Sequence, residues 1–258
     1  MKFAAVEGCR QEAQPGLSAT CPVCREAVVA KCGPQRVWHW AHRGTRNCDH
    51  WWEPETPWHR AWKDHFPKHW QEHVHTSQSG EKHIADVKTD AGLALEFQNS
   101  FLKQQERLSR DAFYSNLVWV INARRRTLDR ARFFAAINAG TIIHPKPLLI
   151  SVPSNRSALL RDWEGGVAPV YFDFGNNEPE DGFRSDEPLL WRLDPHRLGA
   201  QALLFPMNKT LFLQAHLIGE PLEATSAQFV IDAAAHYSHT TRSSMPSLSQ
   251  RHHLRRRF

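Results

Sequence analysis

The sequence predicts an α/β fold, a mixed sheet layered between helices, preceded by a small metal-stapled module. Three observations predict it. Between Pro57 and Ala123 the hydrophobic period switches in the order helix, three strands, helix, strand. The last of these strands, Leu117–Ala123, is a continuous apolar run; reached through a helical crossover, it is expected to lie parallel to its neighbour. Upstream, Cys21 and Cys24 and then His39 and His42 make two close pairs separated by fourteen residues, a spacing that suits a tetrahedral metal.

Length and composition narrow the class. A chain of 258 residues can bury one good core with appended modules. With 41% hydrophobic and 23% charged residues it reads as an ordinary soluble protein. No apolar run is long enough to span a bilayer. The start, Met1 to Glu7, meets charge too early for a secretory signal. Five cysteines, an odd number and all in the first fifth of the chain, argue for reduced thiols rather than a disulfide framework, so a cytoplasmic setting is expected. The net charge of +5 favours a polyanionic partner. That charge is concentrated at Arg124-Arg125-Arg126 and in the run Arg251–Phe258.

Taken in order, residues 1–52 form the small module, with a hairpin from Glu26 to Val37 bending at Gly33-Pro34. Cys21, Cys24, His39 and His42 are its expected zinc ligands, in a ribbon- or knuckle-like arrangement. Cys9, Cys32 and Cys48 stay open as substitutes, Cys48 in place of a histidine. Four ligands leave no open position, so the role is structural, and metal contributes the folding energy that so small a core lacks. Seven of the ten tryptophans fall between Trp38 and Trp70, where the module is expected to meet the main core. Thr56 as N-cap and Pro57 at the first position predict a helix to about Phe66. His59 and Lys63, four apart, share one of its faces, with Glu55 just upstream.

Residues 53–140 then supply strands at His69–Thr76, Ile84–Lys88 and Leu93–Gln98, the last two joined by the turn Thr89-Asp90-Ala91-Gly92. Ser100 is the expected cap of a helix from Phe101 to Ser115, and a further helix follows at Leu128–Asn138. Residues 141–238 read as a β-rich region, either a second domain or an elaboration of the sheet. Its expected strands are Pro145–Val152, Ala168–Phe174, Leu189–Leu193 and Thr210–Leu217, with a helix at Ala224–Tyr237. The basic tail, 239–258, is expected to be disordered.

The chemistry concentrates in the hairpin around Asp86. In Leu93–Gln98, alternation puts Leu93, Leu95 and Phe97 on one face and Ala94, Glu96 and Gln98 on the other. Carboxylates at 86 and 96 on adjoining strands repel unless a cation lies between them, which makes the pair a seat for a hard divalent ion. An Asp, then ten residues on Glu-x-Gln on a strand before a helix, resembles the core of the PD-(D/E)xK nucleases, with Gln98 where a lysine is usual. More narrowly, Ala85-Asp86-Val87 with Glu96-Phe97-Gln98-Asn99-Ser100 resembles the CoiA-like competence proteins. Cys21-Pro22-Val23-Cys24, His39-Trp40-Ala41-His42, Glu55-Thr56 with His59 and Lys63, and Trp119-Val120-Ile121 extend that resemblance over roughly residues 20–122.

The resemblance implies a restriction-endonuclease-like core and a magnesium- or manganese-dependent deoxyribonuclease. Asp86, Glu96 and the carbonyl of Phe97 would hold the ion, and Gln98, Glu55 and His59 would complete the catalytic group. Lys63, Lys88, Lys103, Arg110, Arg124, Arg125 and Arg126 become candidate nucleic-acid contacts, with Lys88 or Lys103 able to replace the missing lysine. DNA is then the partner, in uptake, recombination or defence against foreign DNA, with room for a second copy of the chain or for recombination or defence proteins. Two rivals are a nuclease-fold protein that binds nucleic acid with little activity, and a zinc-stabilised protein-interaction module.

Overall fold

Short stretches of alternating burial open the chain: β1 (Phe3–Val6), β2 (Cys9–Glu12), β3 (Ser18–Thr20), β4 (Ala27–Lys31) and β5 (His39–His42). They pair antiparallel in the order β2-β1-β3-β4-β5. A small core of Met1, Ala4, Val6, Ala19, Cys21, Val28 and Trp40 lies under this sheet. The computed structural model describes residues 1–44, 51, 53–77, 80–183, 185–219 and 227–243.

The main sheet has nine strands: β6 (Gln71–Thr76), β7 (Lys82–Lys88), β8 (Ala94–Gln98), β9 (Leu117–Asn122), β10 (Thr141–Pro145), β11 (Leu148–Pro153), β12 (Val170–Asp173), β13 (Leu189–Leu198) and β14 (Gln201–Asn208). Their order is β10-β11-β14-β13-β12-β9-β8-β7-β6. β8, β9 and β12 run parallel, and the other pairings are antiparallel. The helices are α1 (Pro57–Asp64), α2 (Gln104–Phe113), α3 (Asp129–Asn138), α4 (Ala158–Trp163), α5 (Lys209–Ile218) and α6 (Ala227–Ser243). The expected order of helix, three strands, helix, strand is the one the chain takes from α1 to β9.

Both faces of this sheet are covered, which is why β9 is apolar throughout. Leu117, Trp119 and Ile121 pack with Phe133 and Ile137 of α3 and with Leu159, Leu160 and Trp163 of α4. Val118 and Val120 point the other way, towards Trp62 of α1, Phe212 of α5 and Val230 of α6. The result is a mixed α/β sandwich whose strands β10 to β14 continue the same sheet as β6 to β9. Among the described residues no helix is long and apolar enough to cross a membrane.

Several elements differ from the sequence expectation, each for a physical reason. Thr210–Leu217 is not a strand but lies within α5, which ends at Gly219 with φ +78°, a conformation that favours glycine. The strand nearby is β14, hidden in the sequence by Pro206. That proline is tolerated because β11 pairs only with Gln201 to Leu204, so its missing N–H lies beyond the end of that ladder. The helix expected from Phe101 begins at Gln104, because the Ser100 hydroxyl accepts from Gln98 Nε2 (3.1 Å) instead of capping. α6 runs to Ser243, into the segment expected to be disordered; residues 244–258, most of the basic tail, lie outside the described residues.

α1 is tied to the sheet through Asp173 at the end of β12. Its carboxylate accepts from the indole nitrogens of Trp58 (3.1 Å) and Trp62 (2.8 Å) and from the Gly175 amide (2.8 Å). Removing it strands buried donors, so Asp173→Ala is expected to cost at least about 1–3 kcal/mol in denaturant unfolding. A midpoint equal to that of the wild type would show that these indoles find other acceptors.

Candidate functional site

In the amino-terminal module, β3 ends at Thr20 and the chain turns tightly at Cys21, whose amide donates to Glu26 O (2.8 Å) and whose carbonyl accepts from Arg25 N (3.0 Å). This turn brings Cys21 and Cys24 together, and β5 adds His42, with Cys24 Sγ 3.3 Å from His42 Nε2. The ligand atoms of these three residues lie within 4.8 Å of one another. Two thiols and an imidazole are the donor types that zinc takes, so the cluster could hold such an ion.

His39 does not join them. Residues three apart on a strand point to opposite faces, and His39 Nδ1 instead bonds the carbonyl of Val37 (2.8 Å). Cys9 lies exposed on β2, and Cys48 falls outside the described residues. Metal content should therefore fall sharply in Cys21→Ala, Cys24→Ala and His42→Ala while His39→Ala stays zinc-loaded; loss of zinc from the His39 variant would restore it as a ligand.

The second site lies where β7 and β8 part. Their ladder is short, Val87↔Leu95 and Lys88↔Ala94, and continuing its register places Asp86 opposite Glu96. There the backbone pairing gives way to a side chain: Asp86 Oδ2 accepts from the Phe97 amide (2.9 Å). The fork opens a cleft with about 530 Å³ of empty space, lined among others by Glu53, Glu55, His59, Lys63, Glu72, Asp86, Glu96, Phe97, Gln98 and Arg110. The hairpin acids and the helix residues named from the sequence thus share one pocket. On the polar side of β8, Glu96 and Gln98 are both buried.

α1 supplies one wall. Thr56 caps it, accepting from His59 N (3.2 Å), and its hydroxyl also bonds His59 Nδ1 (3.0 Å). That contact turns His59 Nε2 towards Glu53 Oε1, 3.7 Å away. Glu53 was not named from the sequence, yet it stands at the centre of the wall. It accepts from Gln98 Nε2 (2.5 Å) and from Asn99 N (3.1 Å). Burial holds its pKa above the usual carboxylate range; His59 opposes this shift and the charge of Asp86 adds to it. The signal was the doublet Glu53-Pro54-Glu55 just before a helix cap.

Glu72 is the other acid that sequence reading missed. It takes φ +46° opposite Asp86, a local irregularity that alternation along β6 cannot show. It accepts from the amides of Lys2 (2.6 Å) and Phe3 (2.9 Å), which links the small module to the main sheet. Lys63 Nζ lies 2.9 Å from Glu72, 2.8 Å from Glu55 and 3.8 Å from Asp86. Burial works against the charge of Lys63, but Glu72, Glu55 and Asp86 outweigh it and raise its pKa. Burial likewise pushes Glu55 and Glu72 up, and the Lys63 ammonium overcomes it, leaving both carboxyls below their ordinary range.

The expected nucleic-acid contacts divide accordingly. Lys63 is 1% exposed and fastened under the acids, so it is not offered to phosphate. Arg110 is also buried; it lies 3.5 Å from Glu96 and 2.6 Å from Glu106 and donates to Trp51 O (2.7 Å). Lys88 turns away to His75 Nδ1 (2.5 Å), and Lys103 is exposed at the start of α2; neither lines the pocket. Arg126 is paired with Asp129 (2.6 Å) and Asp162 (2.9 Å), whereas Arg124 and Arg125 are exposed.

Residues 16–50 match the family model of the competence protein CoiA, N-terminal domain. The matched segment contains Cys21, Cys24 and His42 and stops short of the acid pocket. The CoiA match therefore bears on the thiol–imidazole module and leaves β6 to β14 outside it. No curated protein and no solved structure matches the chain.

Proposed function

We propose that this chain is a metal-dependent nuclease acting on DNA, with a PD-(D/E)xK-like core and a structural zinc module, in the service of competence or the handling of incoming DNA. The observation that carries the reading is the β7–β8 fork, which opens Asp86, Glu96 and Gln98 into one cleft with Glu53 and His59. Asp86, Glu96 and Glu53 are oxygen donors of the type a hard divalent ion takes, and Glu53 is pushed up by burial and by Asp86. Among the described residues only Cys21, Cys24 and His42 already gather three ligand atoms within 4.8 Å, so an ion here would rest on Asp86 and Glu96 with other oxygen donors. The CoiA match supports a setting in competence.

When bound by Asp86 and Glu96, magnesium or manganese supplies charge relief on a phosphate and makes nearby water more acidic. The chain's own groups do the rest. Asp86 is oriented by the Phe97 amide, and Arg110 stands beside Glu96. Glu53 and His59, at the pocket wall, are placed to accept and pass a proton. Gln98 works through position: its amide is held between Glu53 (2.5 Å) and Ser100 (3.1 Å to Oγ), so it fixes Glu53 and lends no charge.

That same contact favours a second reading, a nuclease-fold protein that binds nucleic acid with little turnover, because the charge of the usual lysine is missing at this position. The test is purified protein with single- and double-stranded DNA, with and without magnesium or manganese. Cleavage that requires the ion supports the nuclease. Binding without cleavage under every ion supports the second reading, and neither binding nor cleavage rejects both.

A further inference from the structure

Next to the acid pocket lies a second, shallow depression, and Gln98 lines both. Asn99, Ser100, Phe101, Asn122 and Arg125 form its rim. Phe101 is 61% exposed, a large aromatic left in water at the carboxyl end of β8. Its neighbour Leu102 packs into the core, and this anchor holds Phe101 facing outward. Asp129 and Asp162 also border the depression, and both pair with Arg126. Arg125 is exposed and makes no ion pair among the described residues, so its guanidinium is open to a phosphate, while the charges of Arg125 and Arg126 balance those of Asp129 and Asp162 over the depression as a whole. The Asn99 and Asn122 side chains bond each other (2.7 Å), which gives the rim a fixed polar surface.

An exposed ring, an unpaired guanidinium and fixed amide groups beside a cluster of acids fit one kind of occupant. We propose that this depression receives an unpaired nucleotide of a single-stranded nucleic acid, its base stacked on Phe101 and its phosphate at Arg125. In a duplex both faces of each base are covered by stacking, so Phe101 can serve only a strand whose bases are free. The inference deepens the proposed function, since the strand leaving this depression passes Gln98 into the acid pocket, and it rests on that reading for its biological sense.

The experiment measures binding apart from chemistry. Full-length Asp86→Asn protein, without added magnesium, is titrated against a labelled thymidine oligonucleotide and against the same strand in a duplex, followed by fluorescence anisotropy. Phe101→Ala in that background is expected to weaken single-strand binding about tenfold or more, with Phe101→Tyr close to the parent. Arg125→Ala is expected to weaken it and to lower the salt slope by about 1. Duplex binding should barely respond to either change. Unchanged thermal melting confirms that these exposed positions leave the fold intact. Single-strand affinity that is indifferent to Phe101 and Arg125, or an equal loss for strand and duplex, overturns the proposal. Because no cleavage is read, Phe101-dependent binding by a chain that never cuts DNA would sink the nuclease and keep the nucleotide site.

Discussion

Asp86→Asn and Glu96→Gln are each expected to lower metal-dependent DNA cleavage by about 10³-fold or more, an effect on the order of 4 kcal/mol of lost transition-state stabilisation. These variants keep the shape of the side chain. An amide oxygen at position 86 can still accept from Phe97 N (2.9 Å in the parent), so the fork should survive while the negative charge is lost. Gln98→Lys offers the complementary gain. A lysine there would sit against Glu53 and restore the charge that the PD-(D/E)xK resemblance leads one to expect, and cleavage should hold or rise. Rates unchanged in the Asp86 and Glu96 variants would move the active site elsewhere.

Lys63→Met is expected to destabilise the fold by about 3–5 kcal/mol in urea unfolding, because it leaves Glu72 buried without its cation, whereas Glu55 keeps Arg60 (3.1 Å). Adding Glu72→Gln should recover part of that loss by removing one orphaned charge. If Lys63→Met unfolds at the parental midpoint, the ammonium contributes nothing that the amides of Lys2 and Phe3 do not already give Glu72. The same cluster sets an acid limit. Glu55 and Glu72 have folded pKa values below their ordinary 4.5, so the stability they contribute is present above that pH and is lost as pH falls through the lower folded values. The Lys63 contribution runs the opposite way: it is present below 10.5 and lost only as pH rises through a higher folded value. Stability measured from pH 6 downward should therefore fall below about pH 4.5, and less steeply in Lys63→Met.

Much of the core was legible because two-sided burial writes itself into sequence. The alternation of β9 assigns Leu117, Trp119 and Ile121 to one face and Val118 and Val120 to the other. Thr56-Pro57 marked the start of α1, and the doublet Cys21/Cys24 marked a turn that gathers with His42 into a cluster that could hold a metal. What escaped was set by contacts distant in sequence. His39 looked like half of a pair until strand geometry sent it to the opposite face from His42. Glu72 joins the pocket through a left-handed backbone and an ion pair with Lys63, neither of which has a local signature. Lys63 looked like a surface cation on a helix face, yet the acids that enclose it come from the stretch before α1 and from two strands of the sheet. α5 reads as a strand from sequence alone, and as a helix it seats Phe212 against Trp62 and Tyr171.

Direct titration of manganese into zinc-loaded protein, read by the loss of the free-ion electron paramagnetic signal, probes the fork without relying on turnover. The wild type should take up manganese at a site that Asp86→Asn and Glu96→Gln both abolish while their zinc content stays level. Equal manganese uptake by all three proteins, or none by the wild type, would contradict a shared ion between these two carboxylates.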